Sequence, residues 1–201
     1  LFKITDDDYH LYLIPTAEAA LNGLHYDEIM KEEELPSKKM CYTPCFRREA
    51  GAAGAAERGL IRVHQFNKVE MFVTCTPQQS DEIFEQMILS AEEVLEGLGI
   101  HYRSMLLCTG DMSFSAQKTV DIEVWLPGQN RYYEVSSVSH CGDFQARRSK
   151  TRYKSSTGTH LAHTLNGSGV ATSRLLVAIL ENNQNPDGTI SLPKALERYL
   201  R

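Results

Sequence analysis

With 21 basic against 26 acidic side chains in 201 residues, the chain carries a net charge of −5, which argues against a broadly basic nucleic-acid surface. Its 42% hydrophobic and 23% charged residues are those of a globular domain with one substantial core, and there are no repeats or low-complexity segments. No apolar run approaches the ~20 residues that span a bilayer and no charged-then-apolar leader precedes the first motif, so a soluble, cytoplasmic protein without a membrane partner is expected.

In chain order, Phe46-Arg47-Arg48-Glu49 and Arg62 to Glu70 read as two strands joined by a small-residue loop, Gly51 to Gly59, whose glycines and alanines suit a mobile connection. Strand alternation puts Arg47 and Glu49 on one side of the first strand, and His64, Phe66, Lys68 and Glu70 on one side of the second. That face is too charged for a core. A cation for phosphate or carboxylate, a ring for a planar base and an anion for an ammonium group are what a site holding a nucleotide and an amino acid needs. Cys41 and Cys45 lack a second close pair of Cys or His that would complete a zinc site and are read as buried thiols. The odd total of five cysteines speaks for a reducing compartment.

Thr76-Pro77-Gln78-Gln79 has the residues of a helix start, and Ile83, Phe84, Met87, Ile88, Ala91, Val94, Leu95 and Leu98 keep helical spacing until Gly97 and Gly99. The acidic outer face of this helix reads as solvated surface. Val120, Ile122, Val124 and Leu126 then alternate with polar neighbours and turn through Pro127-Gly128-Gln129-Asn130 into Arg131 to Ser136, a hairpin with one polar face. A short strand at Leu161 to Leu165, a backbone loosened by Gly167 and Gly169, and a buried helix from Ala171 to Leu180 complete the pattern. Hairpins covered by helices, without βαβ alternation, predict an α+β fold on an antiparallel sheet.

Phe46-Arg47-Arg48-Glu49-Ala50-Gly51 followed by Val63-His64-Gln65-Phe66 resembles motif 2 of the class II aminoacyl-tRNA synthetases, and in wording the seryl-tRNA synthetase family. Thr16-Ala17-Glu18, Glu134-Val135-Ser136-Ser137, Asp143 to Arg148, and Asn166-Gly167-Ser168-Gly169 leading to Arg174 match that family in order, covering nearly the whole chain. The resemblance implies a class II catalytic core, an antiparallel β-sheet flanked by helices. It would form one partial domain over 1–201, with motif 2 at about 41–73 and motif 3 at about 161–184. The chain opens on Leu1-Phe2-Lys3-Ile4, so the family's N-terminal tRNA-binding arm and motif 1 are expected to be missing.

The resemblance further implies ATP-dependent activation of L-serine to seryl-adenylate and transfer to tRNA(Ser), with tRNA(Sec) as a further acceptor, by a protein that dimerises with itself at full length. Its ATP contacts fall on Arg47, Arg48, Glu49, Val63, Phe66, Glu134, Val135, Ser136, Ser137 and Arg174, with Arg47 and Arg174 as the catalytic cations. Its serine contacts fall on Thr16, Ala17, Glu18, Arg47, Glu70 and Ser168. Glu134 and Ser137 would be ligands of Mg2+, and no zinc is expected.

On residue chemistry alone several of these have a second reading. Arg47 has the planar fork that suits an α-phosphate, and equally the makings of an ion pair across the sheet with Glu49. Phe66 offers a flat face to adenine, with Arg174 covering the other side, or fills a core. Glu49 and the Val63 backbone would then meet the adenine edge, as the resemblance implies. Ser168 is a serine contact or a turn residue, and strict alternation pairs Glu134 with Ser136 rather than with Ser137. Arg147, Arg148, Lys150, Arg152 and Lys154 form a phosphate-contacting surface or a solvated loop, while Arg58 beside Glu57 is the one cation of the loop that faces the tRNA acceptor end in the family. The alternatives are a homologue that charges a carrier protein, a group with a cysteine-bound zinc where Ser168 stands here, and a regulatory domain without activity, against which Arg47, Glu70, Glu134 and Arg174 speak.

Overall fold

Alternating strands and one long amphipathic helix organise the molecule, in a computed structural model that describes residues 1–6, 8–50, 57 and 59–200. In chain order the elements are α1 (Glu18–Gly23), β1 (Ile29–Lys31), β2 (Ser37–Phe46), β3 (Gln65–Cys75), α2 (Ser80–Leu98), β4 (Tyr102–Leu106), β5 (Lys118–Leu126), β6 (Arg131–His140), α3 (Phe144–Ser149), β7 (Arg152–Ser155), β8 (Gly158–Leu161), β9 (His163–Ala171), α4 (Thr172–Asn182) and α5 (Lys194–Glu197). Six strands form a sheet in the order β2-β3-β9-β6-β5-β4, antiparallel at every pair. A smaller sheet, β1-β7-β8, pairs β1 with β7 in parallel and closes over Met30, Leu35, Ala146 and Tyr153. The α+β class with an antiparallel sheet and flanking helices is therefore the observed one.

The main core follows from two periodicities. Val120, Ile122, Val124 and Leu126 of β5 turn inward at every second residue, and α2 lays Ile83, Phe84, Met87, Ile88, Ala91 and Leu95 over them together with Leu175, Ala178 and Ile179 of α4. Gly99, at φ +67°, ends α2 in the left-handed conformation that glycine adopts without strain. The helix begins at Ser80, later than the Thr76-Pro77 signal predicts. Residues 76 to 79 instead close a preceding turn, in which Gln79 N–H donates to the Thr76 carbonyl at 3.1 Å and the Gln79 side chain accepts from Thr76 N–H at 3.0 Å.

At the late glycines β9 runs from His163 to Ala171 with one unpaired residue, Gly169, and α4 follows at once, so the strand extends beyond the Leu161 to Leu165 segment expected. A Cβ at Gly167 would lie 3.0 Å from Val138 Cγ2, so this glycine lets β9 close against β6. Ser168 is accordingly a strand residue. No helix among the described residues is long and apolar enough to cross a membrane. Gly51 to Ala56 and Arg58, the body of the loop expected to face a tRNA acceptor end, lie outside the described residues.

Near the start of α2, the rings of His140 and His163 pack edge to face with centroids 5.5 Å apart. Burial lowers the pKa of both; Asp81 opposes this at each, Asp143 opposes it at His163, and Lys118 adds to it at His140. Imidazoles held below their ordinary value of about 6.5 stay neutral in the fold while the unfolded chain binds protons. Their contribution is therefore fully present above that pH and lost as the pH falls below it. The thermal midpoint should drop between about pH 7.5 and pH 5.5, and His140→Gln should make that drop shallower. An identical profile in the variant would show that other groups carry the dependence.

Candidate active site

Two extra residues in neighbouring strands open the sheet. β6 and β9 pair only from His140/Leu165 to Val138/Gly167. Beyond that point Val135 is an unpaired residue of β6, between the Ser136–Ile122 and Glu134–Glu123 pairs, and Gly169 is an unpaired residue of β9, between Ser168–Glu70 and Val170–Val69. Such bulges kink a strand and re-aim its side chains. Beside them lies an open pocket. Arg47 and Glu49 wall it from beyond β2, Ile61 to Val63 from the turn before β3, Phe66 and Lys68 from β3, Glu134 and Val135 from β6, Ser168 and Ala171 from β9, and Ser173 and Arg174 from the first turn of α4.

The bulge at Val135 decides which residues share the polar face. It reverses the alternation of β6, so Glu134 and Ser137 stand opposite Glu123 and Asp121 on one face, while Ser136 turns away and its hydroxyl donates to the Ser168 carbonyl at 2.5 Å. Burial pushes the Asp121 carboxyl up to about 6, helped by the nearby charges of Glu134 and Glu123 and opposed by a hydrogen bond from Ser137 and by Arg174. Among the described residues no three His, Cys, Asp or Glu side chains converge as a metal cage. A magnesium site needs none, since that ion takes one or two carboxylates and completes its shell with phosphates and water.

On the opposite wall, strand β2 ends at Phe46. Arg47 N–H still bonds the His64 carbonyl at 2.9 Å, but Glu49 leaves the strand direction at φ +48°. The cross-sheet pair of Arg47 with Glu49 therefore does not form. Glu49 instead holds Arg62 at 2.7 Å and raises its pKa, a partner the sequence reading gave no role. Arg47 places its guanidinium 5.2 Å from the centroid of Phe66 and donates from Nε to the Pro15 carbonyl at 3.2 Å. Arg48 is exposed and outside the pocket lining. His64, expected on the same face as Phe66, precedes β3 and packs edge-on to Phe2 at 6.1 Å instead. Phe66 lines the pocket, as does Arg174, whose Nη1 lies 3.0 Å from the Glu134 carbonyl and 3.1 Å from Glu134 Oε1, with the guanidinium 5.0 Å from the Tyr133 ring centroid.

Lys68 is the residue whose importance the sequence reading missed. Its ammonium ion-pairs with Glu70 and donates to Thr16 Oγ1 at 2.8 Å, with Lys68 6% and Glu70 1% exposed. Of the face read as too charged for a core, Lys68 and Glu70 are thus as buried as a core, while Arg47 and His64 are exposed. Burial pushes the Glu70 carboxyl up, Lys68 pulls it back and Glu18 adds to the rise. Glu18 accepts from Gln145 Nε2 at 2.6 Å, Ala17 is buried against Leu21 and Phe72, and Ser168 pairs with Glu70 across the strands. The signal was available, since Lys68 stands two residues from Glu70 in a strand.

The basic run is divided between two elements. Arg147 pairs with Asp143 at 2.7 Å and Arg148 lies 3.5 Å over Phe144 on α3, while Arg152 of β7 pairs with Asp27 at 2.8 Å. All five cysteines are free; Cys45 is buried and Cys41 partly so.

Residues 2–183 match the tRNA synthetase class II core domain (G, H, P, S and T). Among curated proteins, the serine–tRNA ligase of Chlamydia felis is 62% identical over 200 residues, which is 99% of this chain and 47% of that protein. That of Chlamydia trachomatis serovar D is 58% identical over the same shares. The chain thus spans about half the length of the curated relatives it matches. Of solved structures, seryl-tRNA synthetase from Pyrococcus horikoshii complexed with ATP superposes with a TM-score of 0.93 at 48% identity, covering 98% of this chain and 44% of that one. The cytoplasmic serine-tRNA ligase from Naegleria fowleri in complex with AMP gives 0.93 at 38% identity, covering 99% and 47%.

The buried pair generates a stability test. Lys68→Met should cost about 3–5 kcal/mol by leaving the Glu70 carboxylate buried without its counter-charge, and adding Glu70→Gln should recover most of that loss. Urea unfolding of both single variants and the double variant measures this. Additive costs would mean that the two charges are not coupled.

Proposed function

Since the chain belongs to the tRNA synthetase class II core family, we propose that its pocket activates L-serine with ATP to form seryl-adenylate, and that the seryl group then passes to tRNA(Ser). One observation carries the reading: Arg47, Phe66, Glu134 and Arg174 converge on one pocket, and behind its lining residue Lys68 lies a buried carboxylate, Glu70. The same reading makes the full-length protein a cytoplasmic homodimer.

The residues divide the work by chemistry. The Arg47 fork spans the α-phosphate of ATP and the carboxylate of serine, bringing nucleophile and electrophile together. A serine carboxylate oxygen attacks the α-phosphorus, the bond to the bridging oxygen breaks and pyrophosphate leaves. In the second step the terminal ribose hydroxyl of the tRNA attacks the seryl carbonyl and AMP leaves. Neither step makes a protein side chain the nucleophile, so catalysis is positioning and charge neutralisation. Phe66 gives adenine a stacking face, Arg174 covers the other side, and Glu49 with the Val63 backbone meets the base edge.

Glu70 takes the α-ammonium of serine, with Lys68 yielding part of its contact. Thr16, Glu18 and Ser168 answer the side-chain hydroxyl. Alanine would leave those groups unpaired, at about 1–3 kcal/mol for each. Glu134 and Ser137 fit magnesium: both are oxygen donors on one face, and a buried Asp121 oxygen without a hydrogen-bond donor lies opposite. When bound there, the ion would neutralise phosphate charge.

Glu70→Gln keeps the shape and removes the charge. In the full-length protein it should raise the serine requirement of ATP–pyrophosphate exchange roughly 10- to 100-fold while ATP binding stays nearly intact. An equal loss of ATP binding would show Glu70 to be misassigned. Phe66→Leu should raise the ATP requirement about 2- to 10-fold with a modest loss of stability. Unfolding with unchanged nucleotide affinity would return Phe66 to the core.

A further inference from the structure

Asp121 has no assigned part in this chemistry, yet the fold puts it at an electrostatic disadvantage beside the pocket. It stands on β5 opposite Ser137, two residues from Glu123, which stands opposite Glu134. Its Oδ1 is buried and meets no hydrogen-bond donor, one of only two such side-chain atoms among the described residues. The other belongs to Glu70, which has Lys68 against it. Asp121 has like charge from Glu134 and Glu123 around it and Arg174 as the nearby opposing charge, and Ser137 stands directly opposite it across the strands. A buried carboxylate oxygen without a donor is costly, and a structural role would be served better by an amide or an apolar side chain. The arrangement is relieved when something positive, or something that donates, reaches that oxygen.

We propose that Asp121 is a positioning residue for the divalent cation that enters with the nucleotide, accepting the Ser137 hydroxyl proton with its carboxylate and a cation-bound water with Oδ1. Donating its proton to Asp121 turns the lone pairs of Ser137 Oγ away from β5 and toward the ion. Outer groups of this kind orient the direct ligands, and their loss typically weakens metal binding 10- to 100-fold. The inference rests on the nucleotide reading of the pocket.

The test uses full-length protein with ATP, Mn2+ as the spectroscopic probe of the magnesium position, and Asp121→Asn, which keeps the shape and removes the charge. Paramagnetic resonance should report Mn2+ uptake weakened by about 10- to 100-fold in the variant. The thermal midpoint of the metal-free variant should be equal to or above that of the wild type, because a buried charge has gone. Ser137→Ala added to Asp121→Asn should then weaken uptake by less than it does alone, since Asp121 acts partly through Ser137. Unchanged Mn2+ affinity would overturn the inference. So would a lowered metal-free midpoint or a failure to fold, either of which would make the carboxylate structural. Wild-type protein that takes up no Mn2+ with ATP would sink the nucleotide reading as well, whereas normal wild-type uptake with an unaltered variant sinks the Asp121 role alone.

Discussion

The parting of β6 from β9 is the constraint on which the rest of the site depends. Up to Val138 and Gly167 the two strands are held close, with no room for a side chain at Gly167; beyond it, Val135 and Gly169 each add one residue that the neighbouring strand does not match. A regular ladder would have continued through this region and left Glu134 and Ser137 on opposite faces, one of them in the apolar core under α2. The bulge at Val135 brings them to the same face, where Glu134 meets Arg174 from the start of α4, the helix that follows β9. The fold thus gives up ladder hydrogen bonds where the pocket requires converging polar groups.

Most of the charges that line the pocket are already paired. Glu49 holds Arg62, Glu134 holds Arg174, and Glu70 holds Lys68. Each pair fixes a rotamer before any ligand arrives, so less ordering is left for binding. Arg47 differs: among the described residues it makes no ion pair, and its contacts are the Phe66 ring and one backbone carbonyl. A guanidinium left with free donors beside an aromatic face is where an anion attached to a planar base can be met without breaking an existing pair.

The sequence showed those parts of the fold in which one periodicity runs without interruption. The β5 hairpin and α2 were legible because their apolar residues recur every second and every third or fourth position. The sheet β1-β7-β8 was not, since strands of three or four residues carry too few positions to show alternation. The bulges were hidden for a related reason: an extra residue leaves composition unchanged and only shifts the phase, which is why Glu134 and Ser137 read as mutually inconsistent. Glu49 was placed on a strand it leaves through a positive φ that a glutamate gives no warning of. The motifs named most of the pocket lining, while Arg62 went without a role because its pairing with Glu49, thirteen residues away, depends on a distance that spacing does not encode.

The acidic balance of the chain also reads differently once its charges have positions. Asp81, Glu82, Glu85, Glu92, Glu93 and Glu96 all belong to α2, a helix that covers the sheet away from the pocket and lines no part of it. The pocket itself is lined by Arg47, Arg62, Lys68 and Arg174 against Glu49 and Glu134, with Glu70 behind Lys68. Net charge sums over all faces, whereas a ligand meets the field of one concavity, where low-dielectric walls strengthen nearby charges and solvent screens distant ones. A chain of net −5 can therefore present a locally cationic pocket to a polyphosphate, and the overall charge bears on solubility rather than on what the site accepts.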